Sequence, residues 1–136
     1  SHNKLSSIES IAPLAKLHKL AFSDNQIENI DVLQNFPRLK HLFMKHNKIN
    51  DLNPLRTLKK LKKIEANHNS IRDLQPISHP KQIVFLDIAH NEVEDIDALL
   101  KLSSLVWACI EENPLKPYNL SNIAKSLPHL RHFTYV

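Results

Sequence analysis

Asparagine recurs at Asn3, Asn25, Asn47, Asn69, Asn91 and Asn113, each 22 residues after the last. Six positions in one register make the chain an array of like units, and a period of about 20–50 residues is the signature of a repeat architecture. A unit this short has too little apolar surface for a core of its own. Neighbouring units must therefore stack and share one.

Counting back from each asparagine gives L-x-x-L-x-L-x-x-N. The instances are Leu17, Leu20, Phe22; Leu39, Leu42, Met44; Leu61, Ile64, Ala66; Ile83, Leu86, Ile88; and Leu105, Ala108, Ile110. Counting forward, apolar residues stand two, five and eight places on, as in Ile27, Ile30 and Leu33, and in Leu5, Ile8 and Ile11 of the first unit. The L-x-L portion alternates with period two, which predicts a short strand with one face buried. Stacked units then form a parallel sheet with about 4.8 Å between strands. The asparagine belongs where the chain turns inward, its amide pairing with backbone groups that lack a ladder partner.

The sixth place after each asparagine holds Glu9, Asp31, Asn53, Gln75 and Asp97. Asp31, Asn53 and Asp97 are good helix N-caps, and Pro54 and Pro76 follow two of these places. Each convex side is therefore expected to be a short helical or 3₁₀ turn opened by a capping side chain. Near the end Leu130, Phe133 and Tyr135 repeat the strand pattern, but Leu105 to Leu130 is 25 residues rather than 22. The three extra residues are close to one helical turn. They predict a helix over about 119–127, stopped near Pro128, that covers the open end of the core. At the other end Ser1-His2-Asn3 aligns with Lys45-His46-Asn47. The chain thus opens on the tail of a strand, and it reads as part of a longer protein or as one whose N-terminal cap lies upstream.

With N-x-I-x-x-I and the ending Asn113-Pro114-Leu115, Tyr118 and Leu127-Pro128-His129-Leu130, the pattern resembles the short-repeat leucine-rich class. That class includes the regulatory subunit of protein phosphatase 1, the spliceosomal A-prime protein and an axonemal dynein light chain; bacterial internalins share the period. The ending is similar to the class's C-terminal cap, although Phe133-Thr134 stands where Leu-Asp is common and Asn119 where arginine follows the tyrosine. The resemblance implies an α/β right-handed leucine-rich-repeat solenoid. Its parallel sheet would form the concave side, with short helical or 3₁₀ turns on the convex side and a helical C-terminal cap. Residues 1–136 would form one domain, with repeats over 1–112 and the cap over 113–136. The shared residues are core residues, so they say little about function.

Composition narrows the function. The 136 residues contain no glycine, which excludes the usual phosphate-cradling loops and the nucleophile elbow. No run approaches the ~18 apolar residues of a membrane helix. A lone cysteine, Cys109, allows no internal disulfide framework and favours a reducing compartment; the expected setting is intracellular, cytoplasmic or cytoskeleton-associated. The formal net charge of +4 permits an acidic partner without demanding one.

Function is expected on the strand residues that point out of the concave face. One column reads Lys19, His41, Lys63, Phe85, Trp107, His132, and the next outward column reads Ala21, Phe43, Glu65, Asp87, Cys109, Thr134. Exposed aromatics beside charges resemble an interface hot spot with its rim. Phe43, Phe85 and Trp107 are the candidate anchors for another protein or peptide, with His41, Lys45, Lys63, Glu65, Asp87 and Glu111 setting orientation. The alternative is a nucleic-acid module on the basic early coils around Lys19, Lys40, Lys59, Lys60, Lys62 and Lys63. It is disfavoured because the columns separate lysines from aromatics, whereas base-stacking platforms interleave them. The histidines His46, His68 and His90, with His2 in register, invite a metal reading, but no converging acids accompany them. Cys109 has no histidine placed as a catalytic partner. No metal, cofactor or catalytic residue is assigned.

Overall fold

Six three-residue strands carry the L-x-L segments. They are β1 Lys19–Ala21, β2 His41–Phe43, β3 Lys63–Glu65, β4 Phe85–Asp87, β5 Trp107–Cys109 and β6 His132–Thr134. All are parallel and lie in one sheet in sequence order, β1 to β6. The computed structural model describes residues 17–78, 82–116 and 120–135. The expectations placed on Asn3, Leu5, Ile8, Glu9, Ile11, Tyr118 and Asn119 therefore lie outside the described residues.

The register is that of the repeat. Lys19 pairs with His41, His41 with Lys63, Lys63 with Phe85, Phe85 with Trp107, and Trp107 with His132. Each side chain thus stands beside its counterpart 22 residues away, or 25 across the last pair. One apolar cluster runs from Phe22 to Leu127. It contains the strand columns, the Ile27-Ile30-Leu33 type columns, and a column eleven places after asparagine that holds Phe36, Leu58 and Leu102. All three of those are fully buried and extend the core beyond the motif columns.

The return side of each coil is a 3₁₀ turn: Asp31–Asn35, Asn53–Leu55, Gln75–Ile77 and Asp97–Lys101. The expected capping residues are corrected here. Asp31, Asn53, Gln75 and Asp97 are the first residues of the turns, and no side-chain cap is made at the preceding Ile30, Leu52, Leu74 or Ile96. Instead Asn29, Asp51, Asp73 and Asp95 each accept, through Oδ1, the backbone N–H two residues on, at 2.8, 2.8, 2.9 and 2.9 Å. Each is an Asx-type turn, so the polar signal sits two residues earlier than the expected cap. After β5 a longer helix, α1 Leu120–Ser126, occupies most of the segment expected to be helical. Its Ile123 is fully buried, and Leu127 after it is nearly so.

The asparagines do more than close their own turns. Asn91 Nδ2 donates to Ile88 O at 3.0 Å and Ala89 O at 3.2 Å in its own coil, and to Ala66 O at 3.0 Å in the coil before. Its Oδ1 accepts the N–H of Ile71, also in the coil before, at 3.0 Å. Asn47, Asn69 and Asn113 repeat the set. One side chain therefore ties two coils together.

Candidate binding face

The residue before each asparagine sits in the left-handed region: Asp24, His46, His68, His90 and Glu112, with φ between 55° and 61°. That bend costs an L-residue about 1–2 kcal/mol, and glycine, absent from this chain, would adopt it most easily. The bend also turns the three histidines onto one surface. Their rings stack with centroids 4.1 Å apart and planes within 16° for both pairs. In stacked rings the in-plane nitrogen lone pairs run side by side and do not converge on one ion. Among the described residues no three His, Cys, Asp or Glu come together as a group able to hold a metal. Partial burial, then the like charges of His46 and His90, pull the His68 imidazole below its usual value. Asp87 pulls it the other way, and Lys45 adds a smaller downward pull.

The outward strand columns form a ladder of rings and cations. Phe85 and Trp107 stack at 4.2 Å with planes 4° apart, and Trp107 and His132 stack at 5.1 Å and 5°. The ammonium of Lys63 lies 4.5 Å from the Phe85 centroid and 5.3 Å from that of Phe43, and Lys19 lies 5.2 Å from Phe43 on its other side. Lysines and aromatics are thus interleaved. The separation inferred from the columns is corrected, because neighbouring columns mix once coils stack. Phe43, Phe85 and Trp107 are half-buried, each against its neighbours on the ladder. Beside Phe85 and Trp107, Val84 and Val106 are 37% and 38% exposed.

Along the strands the character of the face changes. The N-terminal edge carries His18, Lys40, Lys62, Val84, Val106 and Arg131 one residue before the ladder. Toward the C-terminal edge stand Glu65, Asp87 and Glu111. Glu65 pairs with Lys45 at 3.7 Å. Asp87 accepts Asn67 Nδ2 at 2.8 Å and the Ala89 N–H at 3.1 Å. Asn67 Oδ1 lies 2.9 Å from His68 Nδ1, which joins the acids to the histidine stack. His41 is exposed next to Lys63 in the register. Cys109 lies buried between Asp87 and Thr134.

A family model for leucine-rich repeats in two copies matches residues 37–79. No curated protein matches. Among solved structures, an internalin (InlF) of Listeria monocytogenes aligns over 98% of this chain and 47% of its own length, with 24% identity and a TM-score of 0.78. Internalin C2 of the same organism aligns over 99% of this chain and 68% of its own length, with 19% identity and a TM-score of 0.69. A leucine-rich-repeat protein of Leptospira interrogans aligns over 83% and 30%, with 25% identity and a TM-score of 0.74. The chain spans about half the length of the first of these and less than a third of the last. The fold is that of a leucine-rich-repeat protein of the short, 22-residue class. Among the described residues no helix is long and apolar enough to cross a membrane.

Proposed function

We propose that this chain is a protein-interaction module that takes a partner protein or peptide on its open sheet face. The observation that carries the reading is the Phe85–Trp107 stack, flanked by the exposed Val84 and Val106 and rimmed by charge. Aromatic anchors with a polar rim are what a protein interface concentrates its energy in. Phe43, Phe85 and Trp107 are the anchors, and His41, Lys45, Lys63, Glu65, Asp87 and Glu111 orient the partner. Stacked repeats support such a surface because it is extended and built from one side chain per coil. The face has no catalytic role in this reading, and the module works inside the cell, in the cytoplasm or at the cytoskeleton.

One observation favours a nucleic-acid partner, namely the lysines lying between rings. Base stacking needs an open aromatic face, however. Here the faces of Phe85 and Trp107 are turned toward each other, toward Lys63 and toward His132. The experiment is capture from lysate on immobilised wild type and Trp107→Ala, washed at low salt and at about 0.5 M salt. A protein retained by wild type at both, and lost by the variant, supports the reading. Equal capture by both proteins, or retention of nucleic acid that collapses with salt, overturns it.

A further inference from the structure

The stacked geometry says which surface of each ring a partner meets. Ring normals point along the sheet, from coil to coil, since each ring lies flat against its neighbour. The ring edges are therefore what the row turns to solvent. An aromatic ring is negative on its faces and positive at its edge. The row Lys63, Phe85, Trp107, His132 thus presents positive edges bounded by a cation at one end and an imidazole at the other. Lys62 and Arg131, both exposed, stand at the matching ends of the adjoining column, with Val84 and Val106 between them. This strip is apolar and electropositive. Two residues further along β3 and β4, roughly 6.6 Å away, stand the acids Glu65 and Asp87, while β5 and β6 carry the neutral Cys109 and Thr134 there.

Spacing selects the partner's conformation. Coils repeat every ~4.8 Å, and an α-helix laid across the strands repeats every ~5.4 Å, so it offers about one side chain per turn to each coil. From Lys63 to His132 is three coil steps, roughly 14 Å, over which the two repeats drift by less than 2 Å. An extended strand presents same-face residues every ~6.7 Å and falls out of step within two coils. Building on the reading above, we infer that the partner is an amphipathic helix that crosses the strands. Its apolar stripe lies on the Val84, Phe85, Val106 and Trp107 strip. Its acidic flank meets Lys62 and Arg131, and its basic flank meets Glu65 and Asp87.

Two synthetic helices test this, each with leucines at i, i+4, i+7 and i+11. The first has glutamates on one flank and lysines on the other; the second has lysines on both. Titration by fluorescence anisotropy should show the first binding wild type about tenfold more tightly than the second. Lys62→Glu/Arg131→Glu changes only exposed side chains and should reverse that preference. Equal affinity for both helices, abolished in Trp107→Ala, overturns the acidic-helix assignment while keeping the face as a protein site. Failure of both helices to bind overturns the assignment and leaves the lysate result to judge the face. Tight, salt-sensitive binding of a thymidine dodecamer that displaces the first helix overturns both readings.

Discussion

Asn91→Ala is the sharpest test of how the coils are held together. The substitution takes from the buried Ile71 its acceptor at 3.0 Å, and an unsatisfied buried N–H costs about 1–3 kcal/mol. The three carbonyls it donates to fare better. Ala66 O keeps the Asn69 amide, Ile88 O keeps the Asn113 amide, and Ala89 O keeps the His68 N–H. Each loses only a second hydrogen bond, worth well under about 1 kcal/mol. The total is about 3 kcal/mol, or roughly 10 °C in melting temperature for a domain of this size. Calorimetry and urea titration read it directly. Asn91→Asp adds a control with a different sign of pH dependence. Its first oxygen still accepts from Ile71, but the second faces three carbonyl oxygens. The loss at neutral pH should be at least as large, and part of it should return on acidification, when the carboxyl protonates and can donate again. An Asn91→Ala protein within about 0.5 kcal/mol of wild type would refute the idea that the asparagine ladder ties coils together.

Phe85→Ser/Trp107→Ser removes a half-buried stack rather than two free side chains, so urea titration should show a loss of about 1–3 kcal/mol. No loss at all would mean the stack is not formed in solution. Protonation of His68 is disfavoured in the folded protein, so the unfolded chain binds more protons as pH falls through the ordinary histidine range. Stability should therefore drop from pH 8 to pH 5 by more in wild type than in His68→Asn, and identical pH profiles would exclude the stack as the cause. His68→Gly, which relieves a left-handed φ of 57°, should leave the melting temperature unchanged or raise it; a marked fall would show that ring stacking outweighs the backbone strain. Ending the chain at Lys116 removes α1 and β6 and bares the core beneath Ile123, and it should give aggregated material by light scattering. A monodisperse, cooperatively melting product would show the C-terminal segment to be dispensable.

The period of 22 was enough to place β1 to β5, because strand pairing in a stacked array inherits the register of the repeat, whereas β6 follows three residues late. Lys19 must face His41, and Phe85 must face Trp107, once the asparagines are superimposed. The burial of Leu39, Leu42, Met44 and Ile49 follows from the same count. Phe36, Leu58 and Leu102 also stand at one fixed place, eleven after asparagine, but Pro80 interrupts that column and makes it a weaker pattern than the motif itself. What the sequence could not show is what depends on two coils at once. The asparagine's reach into the preceding coil, the Asx turns at Asn29 and Asp51, and the left-handed bend that lines up His46, His68 and His90 all need backbone geometry in three dimensions. The ladder is the clearest case. Read as columns, lysines and aromatics occupy separate stretches. Packed ~4.8 Å apart, the long flexible lysine stems reach diagonally over the rings, and the flat rings close against each other. Which ring surface is turned to solvent was decided there, by lateral packing between coils, a contact that no linear pattern encodes.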